Sequence, residues 1–159
     1  MASGSEDATI KLWDLDTGQN ERNLKGHTGK IQKICFNSKG DLLASCANDN
    51  DIKIWNMSKF TCIWTLKGHS HNVSAIAFTP DGDHLFSCSW DKLIKVWDLN
   101  TGYCVKDLMG HEDRVNDLAI NPKGTFMVSS GNKGDVILWS TDWKKDNCMT
   151  GAFDLLHEH

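Results

Sequence analysis

Ser87-Cys88-Ser89-Trp90-Asp91-Lys92-Leu93-Ile94-Lys95-Val96-Trp97-Asp98, with Gly68-His69 nineteen residues ahead of its first serine, decides how this chain is built. The stretch reads as one short strand, a tight polar turn around Asp91, and a second strand that ends on Trp97. Moving outward in both directions, the same marks return every 42 residues: Trp13, Trp55, Trp97 and Trp139; Ser3, Ser45, Ser87 and Ser129; Asp7, Asp49 and Asp91. The pair Gly26-His27 recurs as Gly68-His69 and Gly110-His111. Several residue types sharing one period mark a repeat architecture, in which each repeat is one supersecondary unit.

Each repeat has the same internal order. After Gly-His comes an apolar run: Ile31, Ile34 and Phe36; Val73, Ile76 and Phe78; Val115, Leu118 and Ile120. Turn-forming clusters follow (Asn37-Ser38-Lys39-Gly40, Pro80-Asp81-Gly82, Asn121-Pro122-Lys123-Gly124), because a hairpin connection needs residues that tolerate tight backbone angles. The pattern then predicts strands at 42–46, 85–89 and 126–130, a third set at 9–13, 52–55 and 93–97, and a fourth at 61–66, 103–108 and 151–156. Four short antiparallel strands in about 42 residues make one blade of a β-propeller.

Composition narrows the class. Apolar residues make up 40 % and charged residues 24 %, an ordinary balance for a chain with a packed core. The net charge of −4 and the lack of a Lys/Arg stripe speak against nucleic acid as a partner. No apolar run reaches the roughly 20 residues of a spanning helix, and Met1 to Lys11 carries no signal-peptide core, so a cytoplasmic location with no membrane role is expected. Cys46 and Cys88, like Cys62 and Cys104, stand 42 residues apart and read as small buried apolar residues of equivalent repeats. All six cysteines are expected to be reduced, and without a Cys-x-x-Cys pair no metal or other cofactor is expected. The pairs His69/His71 and His157/His159 lack a carboxylate or thiolate cluster to join them.

With Trp13-Asp14 and Trp97-Asp98, and Gly-His recurring at the repeat period, the chain resembles the WD-repeat family, whose members fold as β-propellers, typically of seven blades. Two repeats depart at the Asp of the signature: Trp55 precedes Asn56 and Trp139 precedes Ser140. The expected fold class is all-β, an incomplete propeller with a partial blade over residues 1–25, blades over about 30–66, 71–108 and 113–156, and the start of a next repeat at 157–159. Since a propeller closes with 4–8 blades, the chain is expected to be a piece of a longer protein, with self-association to complete a ring as the other route.

A Ser, a His and an Asp in every repeat invite a hydrolase reading, but three copies on three blades point to scaffolding, since an active site needs one asymmetric arrangement with an oxyanion hole. No catalytic residue is assigned. The resemblance implies instead a buried hydrogen-bond network in each blade: Asp49, His27, Ser45 and Trp55; Asp91, His69, Ser87 and Trp97. In the last repeat His111, Ser129 and Trp139 remain while Lys133 stands at the Asp position, and Asp135 substitutes only if the turn rearranges. That blade is expected to be the weakest.

Loops carry what varies between repeats. The residues after Gly-His and the one before the turn Asp are expected to face a common rim: Lys30, Asn48, His71, Trp90 and Arg114 as partner-binding residues, with Glu6, Asn72, Glu112, Asp113 and Asn132 around them. Trp and Arg are enriched among interface hot spots, which singles out Trp90 and Arg114. Trp143, with Lys144 and Lys145 in a six-residue insertion, is a second contact candidate.

Longer stretches are similar to the lissencephaly-type branch of the family, which includes the nuclear distribution proteins: Glu6-Asp7-Ala8-Thr9-Ile10-Lys11-Leu12-Trp13-Asp14, Leu42-Leu43-Ala44-Ser45-Cys46, His71-Asn72-Val73-Ser74, Gly82-Asp83-His84, Thr101-Gly102-Tyr103-Cys104-Val105-Lys106 and Leu155-Leu156-His157-Glu158-His159. That resemblance implies a non-enzymatic scaffold, regulating cytoplasmic dynein in microtubule-based transport, with the dynein motor domain and its adaptors as partners and a cytoskeletal location. It also implies the non-catalytic subunit of a platelet-activating-factor acetylhydrolase complex. The branch has a basic residue where this chain has Trp90 and an aromatic where it has Arg114, which keeps open a scaffold or substrate receptor of another complex, in ubiquitin ligation or signalling.

Overall fold

The computed structural model describes residues 1–141 and 153–154. Among them there is no helix, and the strands form four antiparallel sheets, each a meander in chain order. Blade 1 holds β1 (Ala2–Gly4), β2 (Ile10–Trp13) and β3 (Asn20–Leu24); blade 2 holds β4 (Ile31–Phe36), β5 (Leu42–Ala47), β6 (Ile52–Asn56) and β7 (Thr61–Leu66). Blade 3 holds β8 (Val73–Phe78), β9 (His84–Ser89), β10 (Ile94–Asp98) and β11 (Cys104–Leu108). Blade 4 holds β12 (Val115–Ile120), β13 (Phe126–Gly131), β14 (Val136–Ser140) and β15 (Phe153–Asp154). The architecture is an incomplete β-propeller. No helix of the described residues is long and apolar enough to cross a membrane.

The core lies between blades, because a four-stranded sheet is apolar on both faces and needs a neighbour on each. Ile10, Leu12 and Leu24 of blade 1 pack on Ile31, Leu43 and Trp55 of blade 2. Ala44, Cys46, Ile52 and Ile54 meet Val73, Ile76, Leu85 and Trp97 of blade 3, and Phe86, Cys88, Ile94 and Val96 meet Val115, Leu118, Met127 and Trp139 of blade 4. Burying each of the larger side chains contributes about 1.5–3 kcal/mol. The periodicity that marks the repeats is therefore the periodicity of one face-to-face contact.

Two irregularities recur with the repeat. The first strand pairs with the second through a bulge at Ile31/Lys33, Val73/Ala75 and Val115/Asp117. The third pairs with the fourth through another at Leu12/Trp13, Ile54/Trp55 and Val96/Trp97. Bulges steepen the local twist, and the second set falls on the repeated tryptophan. Strands β4, β8 and β12 run side by side along the inner edge. There Ser74 Oγ donates to the Val115 carbonyl at 2.5 Å, and Lys33 Nζ lies 2.5 Å from Asp117 Oδ1, joining blade 2 to blade 4.

The cysteine reading needs correction. Cys46 and Cys88 are buried, but Cys62 and Cys104 are exposed. The first pair sits on second strands between two blades, whereas the second pair sits on β7 and β11, the outermost strands of their sheets. A common period places residues equivalently without burying them.

Candidate protein-binding rim and its supporting network

Three blades carry the same chain of side-chain hydrogen bonds. In blade 2, Trp55 Nε1–H donates to Ser45 Oγ at 2.9 Å, and Ser45 Oγ lies 2.8 Å from His27 Nε2. His27 Nδ1 lies 2.8 Å from Asp49 Oδ2. In blade 3 the distances are 2.7 Å from Trp97 to Ser87, 2.8 Å from Ser87 to His69, and 2.7 Å from His69 to Asp91. A carboxylate only accepts, so Nδ1 carries the histidine proton and Nε2 accepts from the serine hydroxyl. Blade 1 keeps one link, Trp13 Nε1–H to Ser3 Oγ at 2.8 Å.

The network closes a corner of the blade because a glycine admits it. A Cβ on Gly68 would stand 3.2 Å from Trp97 Cη2, and one on Gly110 would stand 2.9 Å from Trp139 Cη2, so the indole lies against bare backbone. The turn aspartate then reaches two backbone N–H groups. Asp49 accepts from Thr28 at 2.8 Å and Asp51 at 3.1 Å; Asp91 accepts from Ser70 and Leu93, both at 3.0 Å. Burial pushes the Asp91 carboxyl up, but the hydrogen bonds from His69 and the two backbone N–H groups outweigh it and hold it at about 2. Burial lowers the His27 imidazole below 6.5 against the opposing pull of Asp49.

Blade 4 reaches the same end by another residue. Asp135, two positions beyond Lys133, bonds His111 Nδ1 through Oδ2. Ser129 Oγ stands 2.6 Å from His111 Nε2 and accepts from Trp139 at 2.7 Å. The fit is looser: Asp135 Oδ1 is buried without a hydrogen-bond partner among the described residues. The loop after His111 is fastened by side chains instead, Lys133 Nζ to Glu112 Oε2 at 2.9 Å and Asn132 Nδ2 to Asp113 Oδ2 at 3.1 Å.

Chemically this arrangement fastens rather than attacks. Ser45 and Ser87 are 0 % exposed and Ser129 is 1 % exposed, and each hydroxyl is engaged by an indole and an imidazole. A nucleophile must reach a substrate. His69 likewise has both ring nitrogens committed, and among the described residues no group of three or more His, Cys, Asp or Glu side chains is placed to hold a metal ion.

What the networks hold in place is the rim. Backbone N–H groups of Asn48, Trp90 and Asn132 donate to the carbonyls of Lys30, Asn72 and Arg114, so each turn is tied to the loop of its own blade. Three sequence-selected residues come together at the junction of blades 3 and 4. The Arg114 guanidinium carbon lies 4.5 Å from the centroid of the half-buried Trp90 ring, and the His71 ring lies 5.6 Å from it. Lys30 and Asn48 are elsewhere: Lys30 pairs with Glu6 across the junction of blades 1 and 2, and Asn48 Oδ1 accepts from Gln32 at 2.5 Å. The pairing of Glu6 with Lys30 and of Trp90 with Arg114 was not read from the residues, although the common spacing of 24 links both pairs. Trp143, Lys144, Lys145, His157 and His159 lie outside the described residues. A cavity of about 380 Å³ opens between blades 3 and 4 near Pro80, His84, Lys123 and Phe126.

The WD domain, G-beta repeat family matches residues 1–14, 18–56, 60–98 and 102–140. The chain belongs to this family. Each WD match after the first begins near the outer strand of one blade and ends on the third strand of the next. The sequence unit is thus offset from the blade and stitches neighbours together. Among curated relatives, a Lissencephaly-1 homolog of Monosiga brevicollis is 54% identical over 43 residues, 27% of this chain and 10% of that protein. A Lissencephaly-1 homolog of Caenorhabditis briggsae is 56% identical over 43 residues, 27% of this chain and 11% of that protein. Nuclear distribution protein nudF of Aspergillus oryzae is 49% identical over 49 residues, 30% of this chain and 11% of that protein. The matched stretches span about a tenth of the length of these relatives.

Proposed function

We propose that this WD-repeat chain is a non-catalytic protein-binding scaffold of the lissencephaly type, acting in the cytoplasm as a regulator of cytoplasmic dynein and microtubule-based transport. The observation that carries the binding role is the clustering of Trp90, Arg114 and His71 at one blade junction, since aromatic and arginine side chains dominate interface energetics. The dynein part rests on similarity to the Lissencephaly-1 homologs and to the nuclear distribution protein. The hydrogen-bond networks at His27, His69 and His111 serve by holding the rim loops.

The test is capture of the dynein motor domain by the full-length protein, before and after changing Trp90 and Arg114 together to alanine. Capture lost in the double variant supports the reading. Capture unaffected by it overturns the placement of the site, and absence of capture by the unaltered protein overturns the dynein assignment. The aromatic at residue 90 and the arginine at 114 favour one second reading, a WD scaffold of another complex with a different partner. Capture of a ubiquitin-ligase or signalling subunit in place of dynein is the outcome it requires.

A further inference from the structure

We propose that the junction of blades 3 and 4 receives an acidic peptide segment, with Arg114 taking a carboxylate by its edge while Trp90 supports its face. This rests on the reading of the rim as a protein-binding surface and names the chemistry of what binds there.

The repeat supplies an internal comparison. Residues 24 apart meet across two of the junctions, Glu6 with Lys30 and Trp90 with Arg114. At the first junction the cation already has a carboxylate, because Lys30 Nζ bonds Glu6 Oε1. At the third, the carboxylate is replaced by an indole, and the guanidinium lies 4.5 Å over its ring. A guanidinium held over a ring by cation–π attraction keeps its N–H donors available for an acceptor. Among the described residues the Arg114 side chain makes no hydrogen bond or ion pair, and Arg114 is exposed.

The acids nearby do not fill that vacancy. Glu112 bonds Lys133 at 2.9 Å. Asp113 accepts from Asn132 at 3.1 Å through one oxygen and from the backbone N–H of Arg114 at 2.8 Å through the other. Arg114 and Lys92 both stand close enough to lower the Asp113 carboxyl, and Lys92 also lowers Glu112, yet among the described residues Lys92 makes no ion pair. Among the described residues Arg114 and Lys92 are thus the cations of this junction with no bonded acid, whereas the carboxylate of Asp113 is already engaged by two N–H donors. A planar fork held in advance on an indole matches a carboxylate through two parallel hydrogen bonds and loses little conformational freedom on binding. Trp90 and His71 beside it offer an apolar edge for a neighbouring side chain. A polyphosphate backbone fits worse, since it is held by cations spaced along a stripe, and here one guanidinium and one lysine stand beside an apolar edge that suits a side chain.

The experiment is fluorescence anisotropy of a labelled pentapeptide, Glu-Glu-Leu-Glu-Glu, against the whole chain at low salt. Gln-Gln-Leu-Gln-Gln and a single-stranded oligonucleotide serve as competitors. Binding of the acidic peptide that weakens roughly tenfold or more in Arg114→Gln, and is only partly restored in Arg114→Lys, is the expected result. Glu6→Gln, which frees Lys30 of its carboxylate, is expected to add a second, weaker acidic-peptide site. Equal binding of the two peptides, tighter binding of the oligonucleotide, or indifference to Arg114→Gln overturns the proposal. Circular dichroism of each variant separates loss of the site from loss of fold. A partner captured by the full-length protein, lost with Trp90→Ala and kept with Arg114→Gln, overturns the acidic segment while leaving the rim reading in place.

Discussion

Gly131 and Asp135 share one volume: a Cβ on Gly131 would stand 2.2 Å from Asp135 Oδ1. Blade 2 has the buried Ala47 at the equivalent place, with its turn carboxylate on Asp49. The displaced acid of blade 4 and the missing side chain are therefore one adjustment. Gly131→Ala should destabilise the chain by about 1–3 kcal/mol through overpacking. Adding Lys133→Asp, which returns an acid to the position of Asp49, should recover most of it. Urea unfolding of the single and double variants measures the coupling, and additive effects would sink this account.

Asp91 gives a pH signature. Its carboxyl sits at about 2 in the folded chain, below the roughly 3.9 of an unfolded aspartate. A depressed folded pKa adds stability that is complete above about pH 4 and lost as pH falls through about 2, on the order of 2 kcal/mol in all. Denaturant midpoints between pH 5 and pH 2 should fall less steeply in Asp91→Asn, which is itself less stable at neutral pH. Parallel pH curves for the two proteins would contradict the assignment.

The networks should fail in order of their length. Ser87→Ala strands both Trp97 Nε1–H and His69 Nε2, whereas Ser3→Ala strands only Trp13. Each buried group left unmatched costs about 1–3 kcal/mol. A drop in urea midpoint for Ser87→Ala about twice that for Ser3→Ala is the expected result. Hydrogen exchange of the turns adds a check: residues 131–135 should exchange faster than residues 47–51.

Thiol labelling separates the cysteines by strand. Cys62 and Cys104 should react with a maleimide in the folded chain, and Cys46 and Cys88 only on unfolding, since burial pushes the Cys88 thiol up to about 12 and raises Cys46 further. Partial burial and the neighbouring Asp107 also raise Cys104, which should slow its labelling in the folded chain. Peptide mapping by mass spectrometry reads each site.

Those residues also show what was legible from the chain alone. Trp, Ser and His at one period mark the blades and the hydrogen-bonded corner, because every repeat must rebuild the same corner from the same side chains. Exposure of Cys62 was not legible, since a period fixes position in a sheet and says nothing of whether another sheet lies beyond it. The role of Asp135 was half visible: an acid was near, but the space left by Gly131 is a property of three dimensions. The stacking of Arg114 on Trp90 joins two blades, and pairings between blades leave no mark in the alternation within either.

Lys33 and Asp117 meet beneath blade 3, one from each flanking blade, 2.5 Å apart. They act as the string of a bow whose limbs are blades 2 and 4. Both ends are partly open to solvent, with side chains 36% and 62% exposed, so the pull is weak, about 0–1 kcal/mol, and salt slackens it. Face-to-face packing sets the bend of the arc, and this string trims it. The spacing between rim loops two blades apart thus acquires a slight dependence on ionic strength.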